Sequence, residues 1–230
     1  MRSKGHLYRY RHINDPKYAI AEVNGNLWLS ISTYLNDRFD GISDLPEPHK
    51  TTIHRTMGGV DVGIQGKERW MIACFSKKWN SMPMWAHYGK EGTGLCFEYN
   101  YGTLSSSILN HNNNPLKFDP KDSIFGKVKY RKRLPRRPTR KGILIKANSW
   151  KYEKEWRGAV LDRALDTQSK GKVISVKGGI TSVIFGWRTP QASIDEITSV
   201  IRARNLKTKI EQVTINENTR RLERRDLVIA

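Results

Sequence analysis

In the segment Tyr152-Glu153-Lys154-Glu155-Trp156-Arg157, two carboxylates stand two residues apart, with an arginine at the same interval beyond them. On a strand, the period of two sets Glu153, Glu155 and Arg157 on one face and Tyr152, Lys154 and Trp156 on the other. Carboxylates about 7 Å apart by strand rise, beside a permanent cation, make an acid/base pair: one is held ionised while its neighbours tune the other. The plainer reading is an exposed strand face with a cross-strand ion pair. Glutamate is a poor strand former, and Trp150 and Trp156 imply partial burial, so the pattern favours a working site. Glu153 and Glu155 are the catalytic candidates, and the residues leave open which of them reacts.

Two further clusters offer binding groups. Cys74-Phe75-Ser76 is followed by Met82-Pro83-Met84-Trp85-Ala86-His87-Tyr88-Gly89. A hydroxyl at a strand end, with Trp85, His87 and Tyr88 on a short helix after it, suits a flat heteroaromatic ligand: stacking supplies area and the polar groups fix orientation. The alternative is a core helix with Met82, Trp85 and Tyr88 packed inward and His87 at the rim. In Leu7-Tyr8-Arg9-Tyr10-Arg11, Arg9 and Arg11 share one strand face and Tyr8 and Tyr10 the other. Arginine forks suit pyrophosphate or ribose oxygens, and equally a nucleic-acid backbone.

The elements that must position these groups follow from periodicity and turn chemistry. His6 to Arg11 reads as a strand. A helix opens at Asn14 or Asp15 with Pro16 in its first turn, and Leu27 to Ser32 is a strand after the Asn24-Gly25 turn. The stretch 41–66 has no clear period and reads as a flexible excursion, and Asn36 to Gly41 before it reads as turn chemistry rather than a metal site. Trp70 to Ser76 is a strand, Ser81 to Tyr88 a helix and Gly94 to Tyr99 a strand, and Asn110 to Pro115 is a surface loop. Strands are expected at Tyr152 to Val160, Lys172 to Lys177 and Ile180 to Phe185. A helix at about Ala192 to Arg204 precedes closing strands near Lys209 to Ile215 and Asp226 to Ile229. Many strands, a few helices and no βαβ alternation make an α+β fold, and 230 residues fit a single domain.

The chain carries 41 Lys and Arg against 22 Asp and Glu, a net charge of +19, which selects polyanionic partners. Between Asp122 and Glu153 there are eleven cations and no acid. Lys127, Lys129, Arg131, Lys132, Arg133, Arg136, Arg137, Arg140 and Lys141 are the candidate nucleic-acid contacts, with Tyr130, Trp150 and Tyr152 interleaved to stack on bases. A solvated basic loop is the alternative. Pro135 and Pro138 forbid a continuous helix, so 127–151 is expected to be an extended or looping arm. Cys74 and Cys96 sit in apolar runs without metal-ligand spacing and read as reduced core residues, and no metal is expected. No uninterrupted stretch of about 18 apolar residues occurs, nor any leader-like start, so a cytoplasmic protein away from membranes is expected. Walker A, H-E-x-x-H and Rossmann glycine patterns are absent.

The motifs L-Y-R-Y-R (7–11), L-W-L-S-I-S-x-x-L-N-D-x-F-D (27–40), C-F-S (74–76), M-W-A-H-Y-G (84–89), G-L-C-F-E-Y (94–99), W-x-Y-E-x-E-W-R (150–157) and I-T-S-V-I-F-G (180–186), taken together, resemble the bacterial domain-of-unknown-function family 2971 from about residue 7 to 200. A second resemblance is to ADP-ribosyltransferases, which bind NAD on a split β core. It implies that Arg9 stands at the early-strand position, Ser76 with Tyr88 at the middle motif, and Glu155 at the catalytic carboxylate. There is no S-T-S triplet in the middle strand, and Glu153 competes with Glu155 for the reacting role. The chemistry of the side chains adds Tyr10, Arg11, Trp85 and His87 as groups that would border the NAD, and the basic segment points to a nucleic acid, RNA before DNA, as the acceptor. That activity would suit a toxin or phage-defence effector. The alternatives are a nucleic-acid-binding or nuclease-like module without NAD, or a toxin-like protein held by an acidic partner such as an antitoxin.

Overall fold

A computed structural model describes residues 5–31, 34, 35, 37, 52–56, 59–63, 69–111, 122–134, 140–162 and 170–227. Within the expected excursion, β3 (Thr52–Thr56) and β4 (Gly59–Gly63) pair as a hairpin. The rest of 41–66, the 36–41 motif apart from Asp37, residues 112–115, Arg136 and Arg137, and the side chains of Arg140 and Lys141 lie outside the described residues.

Ten strands form one sheet, antiparallel except for a single pair. They are β1 (His6–Arg11), β2 (Asn26–Ile31), β5 (Arg69–Ser76), β6 (Leu95–Asn100), β7 (Ser123–Lys127), β10 (Glu155–Asp162), β11 (Gly171–Ser175), β12 (Ile180–Phe185), β13 (Lys209–Asn216) and β14 (Arg221–Asp226). The parallel pair is β12 with β13, which are joined through helix α4 (Gln191–Ala203). This is a mixed fold with a large, mostly antiparallel sheet and few helices. A separate parallel pair joins β8 (Lys129–Arg131) to β9 (Ile145–Ala147).

The helices close the sheet's apolar face. α1 (Pro16–Val23) starts where the Asp15 side chain accepts from the Lys17 amide at 3.0 Å, with proline in the first turn, where its missing N–H costs nothing. α4 buries Ile194, Ile197, Thr198 and Ile201, a stripe at helical spacing. Together with Leu7, Leu29, Phe75, Phe97 and Val183 from the strands, these side chains form the main core. α2 (Met82–Tyr88) packs on the opposite face, with Trp85 against Tyr10, Cys96, Ile184 and Val213. Neither Cys74 nor Cys96 is in a disulfide.

Three departures from the sequence reading have local causes. First, Tyr152 to Val160 is not one strand. Asn148–Glu153 is a 3-10 turn, Lys154 is left-handed at φ 49°, and extended backbone begins at Glu155. The face argument therefore fails for Glu153, which reaches its place through a turn. Second, the last strand is Arg221–Asp226 rather than Asp226 to Ile229. The Asn216 side chain accepts from the Thr219 amide and folds a hairpin that a charged, nearly non-apolar strand conceals. Third, the expected extended or looping arm is anchored where it is described: β7 pairs with β10 as far as Lys127, the Val128 amide donates to the Glu155 carbonyl, and β8 and β9 pair with each other. α3 (Tyr101–Leu109) had no counterpart in the sequence reading. Its serines and glycine are weak helix formers, but the Asn100 side chain caps the Thr103 amide and Leu104 and Ile108, one turn apart, are fully buried. Among the described residues, no helix is long and apolar enough to cross a membrane.

Candidate active site

The candidate site lies where β5 is shared between two parts of the sheet. β10 covers one edge of β5 along its length, from Glu155 opposite Ser76 to Asp162 opposite Arg69. The other edge is divided. β1 meets it only at Tyr8 opposite Ser76, and β2 meets it at Ser30 and Ile31 opposite Ile72 and Met71. Between those contacts the sheet splits and a cleft of about 180 Å³ opens. Arg9, Tyr10, Arg11, Ser76, Tyr88, Glu153 and Glu155, seven of the nine sequence candidates for chemistry or ligand binding, line this one cleft, together with Lys146.

One end of the cleft carries the two carboxylates, each about 3% exposed. Arg157, fully buried, grips Glu155 with both prongs: Nε donates to Oε1 at 2.7 Å and Nη2 to Oε2 at 3.1 Å. Its Nη1 donates to the Ile143 carbonyl, which fixes the fork. The Lys146 ammonium stands between the acids, 2.7 Å from Glu153 Oε2 and 3.4 Å from Glu155 Oε2. Tyr88 donates its hydroxyl to Glu153 Oε1 at 2.6 Å. Burial raises the Glu153 carboxyl, and the charge of Glu155 adds to that, so that it sits at about 7 against the downward pull of Lys146 and Tyr88. Burial acts on Glu155 in the same sense, but Arg157 and Lys146 overcome it and draw that carboxyl down to about 2. Two carboxyls on one ammonium thus hold opposite protonation preferences, the arrangement that separates an acid/base group from a fixed anion.

The other end is cationic. Arg9 and Arg11 both reach Glu22 of α1 at 3.4 Å, and Arg9 Nη2 donates to the Trp28 carbonyl at 2.9 Å. Glu22 also accepts from the Tyr99 hydroxyl at 2.7 Å. Two guanidiniums share one carboxylate, and the buried Nη1 of Arg9 has no hydrogen-bond partner. A buried donor left unpaired costs free energy until an acceptor arrives, so Arg9 Nη1 can serve a polar oxygen, beside a Glu22 Oε2 that also lacks a hydrogen bond.

Two sequence candidates lie elsewhere. Trp85 is 0% exposed, has its indole N–H committed to the Trp79 carbonyl at 2.8 Å, and packs edge-on between Tyr10 and Trp187. It is core, because a helix on a sheet face buries its largest apolar side chain, and it cannot stack on a ligand. His87 is exposed outside the cleft and bonds the Tyr152 hydroxyl at 2.9 Å. Ser76 and Tyr10 border the cleft with their hydroxyls already engaged. Ser76 donates to the Glu153 carbonyl at 2.7 Å and so braces the backbone that carries Glu153, whereas Tyr10 donates to the Lys78 carbonyl at 2.8 Å and holds the segment that follows β5. Lys146 and Glu22 escaped the sequence reading. For Lys146 the signal was a single cation inside the apolar run Gly142 to Ala147. For Glu22 it was an acid on an otherwise apolar helix face.

The basic segment flanks the acid end. Lys127, Lys129, Arg131, Lys132 and Arg133 are exposed, whereas Val128 is buried and Tyr130 half-buried. The inward residues hold Glu155: the Val128 amide donates to the Glu155 carbonyl at 3.0 Å, and the Glu155 amide donates to the Tyr130 hydroxyl at 2.8 Å. Tyr130 is therefore a brace for Glu155 through its hydroxyl. The same short strand shows cations outward and positions a cleft carboxylate inward.

No curated protein and no solved structure matches the chain. Residues 84–158, which run from α2 to the first turn's length of β10 and include Tyr88, Lys146, Glu153, Glu155 and Arg157, match the model of a family described as a protein of unknown function (DUF2971), a narrower span than the motifs from 7 to 200 that resemble it.

Proposed function

We propose that the cleft cleaves the nicotinamide glycosidic bond of NAD and transfers ADP-ribose to a nucleic acid. The observation that carries this reading is the convergence, in one split of the sheet, of an ionised Glu155, a Glu153 poised near pH 7 and the unpaired Nη1 of Arg9. Cleavage sends the bonding electrons out with nicotinamide and leaves positive charge on the ribose, which the fixed negative charge of Glu155 stabilises. The acceptor's nucleophile then bonds the ribose carbon, and its proton passes to Glu153. Arg9 and Arg11 supply donors to ribose or pyrophosphate oxygens. The cleft is smaller than the roughly 300–1,000 Å³ that holds a whole drug-sized ligand, so it takes the reacting end of the dinucleotide while the remainder lies outside.

The exposed cations beside Glu155 supply the acceptor's binding surface, and phosphate contacts of this kind weaken steeply with salt. The test is nicotinamide release from NAD in the presence of mixed RNA and DNA. Release by the parent protein and its loss in Glu155→Ala are expected. Parent release no greater than that of Glu155→Ala would sink the proposal.

A further inference from the structure

Glu153 and Glu155 are almost wholly buried in a cleft too small for a duplex. A nucleotide that reaches them must leave its stack and its pairing partner, which is least costly when it has no partner. The 3-10 turn Asn148–Glu153 ends on Glu153 and carries Trp150 and Tyr152 just before it. Both rings are half-buried, and their centroids lie 6.1 Å apart with the planes 36° from parallel. The exposed His87 of α2 stands edge-on to Tyr152 at 5.8 Å and bonds its hydroxyl, which fixes the ring. The exposed Lys151 lies between the two aromatic residues, and the turn packs directly on β8, whose outward side chains are Lys129 and Arg131. Half-exposed rings among cations, one residue from an acid/base group, match how single strands are held: the backbone on cations and the bases on aromatic faces.

We infer that the acceptor is an unpaired base in a single-stranded nucleic acid, taken up on a rim formed by Trp150, Tyr152 and His87. This rests on the transferase reading for its chemistry but not for its binding.

The test is the binding of a short labelled single-stranded RNA and of its duplex, read by fluorescence anisotropy on the whole chain. The strand is expected to bind more tightly than the duplex, and Tyr152→Leu to weaken the strand by about fivefold or more. Duplex binding is expected to be unchanged in that variant, which also reports an intact fold. Tyr152→Phe, which keeps the ring but loses the His87 bond, is expected to bind the strand more tightly than Tyr152→Leu, and Trp150→Leu is a second truncation of the rim. Equal affinity for strand and duplex, or strand binding indifferent to both leucine variants, overturns the inference. Nicotinamide release from NAD measured in the presence of the strand separates the two ideas. Strand selectivity with no release upholds the rim and counts against the transferase, whereas release with no strand selectivity overturns the rim.

Discussion

Replacing Lys146 by methionine keeps the stem's volume and removes the charge that both carboxylates share. At 2.7 Å from Glu153, with an effective dielectric near 20, the Coulomb attraction is on the order of 6 kcal/mol. Water entering the site and the remaining Tyr88 hydrogen bond offset much of that loss. If one third survives, about 2 kcal/mol, the Glu153 carboxyl rises by roughly 1.5 pKa units. The ascending limb of the pH–rate profile, set by ionisation of Glu153, then moves from near 7 to about 8.5. At neutral pH the rate falls roughly fifteenfold, and it returns at alkaline pH. Nicotinamide release from pH 5.5 to 9.5 reads the limb. Carbon-13 NMR of labelled glutamate carboxyls reads the same shift without any substrate. A profile that loses height at every pH with its limb unmoved, or a Glu153 carboxyl that titrates lower, would refute the assignment of Lys146 as the group that tunes Glu153.

Three other outcomes are expected. Arg157→Leu removes both prongs from a carboxylate that stays buried, and denaturant unfolding should show a loss of about 3–5 kcal/mol. Burial raises the Glu153 carboxyl in the fold above its ordinary 4.5, so the folded chain holds that proton more tightly and this residue's contribution to stability falls as pH rises from about 4.5 to 7; Glu153→Gln should flatten that interval in melts taken across pH. In Gly186→Ala, the new Cβ would lie 2.2 Å from the Gly92 carbonyl oxygen, a backbone atom with nowhere to retreat, and the melting temperature should drop by an amount corresponding to about 1–3 kcal/mol.

Much of this architecture was written in short-range signals. β1 and β12 begin and end as their apolar alternation and turns dictate, and α1 is announced by Asp15 and Pro16. The convergence of Arg9, Ser76, Tyr88 and the two glutamates could be supposed from a resemblance, but their distance in sequence gives no geometry. It arises from the register that sets Tyr8 opposite Ser76 and Ser76 opposite Glu155. What the sequence concealed were compensated polar groups. Lys146 looked like one more cation in a basic run because the carboxylates that neutralise it are seven and nine residues away across a turn. Trp85 looked like a ligand platform because an aromatic side chain reads alike whether its face meets a ligand or a core. The left-handed Lys154 carries no signature, since lysine adopts that conformation only when the surrounding bonds hold it there.

The division of β5 between β1, β2 and β10 also has a consequence for when the cleft comes into being. Its walls include Arg9, Tyr10, Arg11, Ser76, Tyr88, Lys146, Glu153 and Glu155, so the cleft is complete only after β10 has been synthesised and has zipped onto a strand begun some eighty residues earlier. Pairings across such separations form late and slowly compared with local hairpins. A chain on the ribosome with β1, β5 and α2 already emerged has Arg9 and Tyr88 but neither carboxylate, and so lacks the acid/base end. A truncated product that stops before residue 153 likewise lacks both carboxylates. The order of the strands thus sets the moment at which the carboxylate pair meets Arg9.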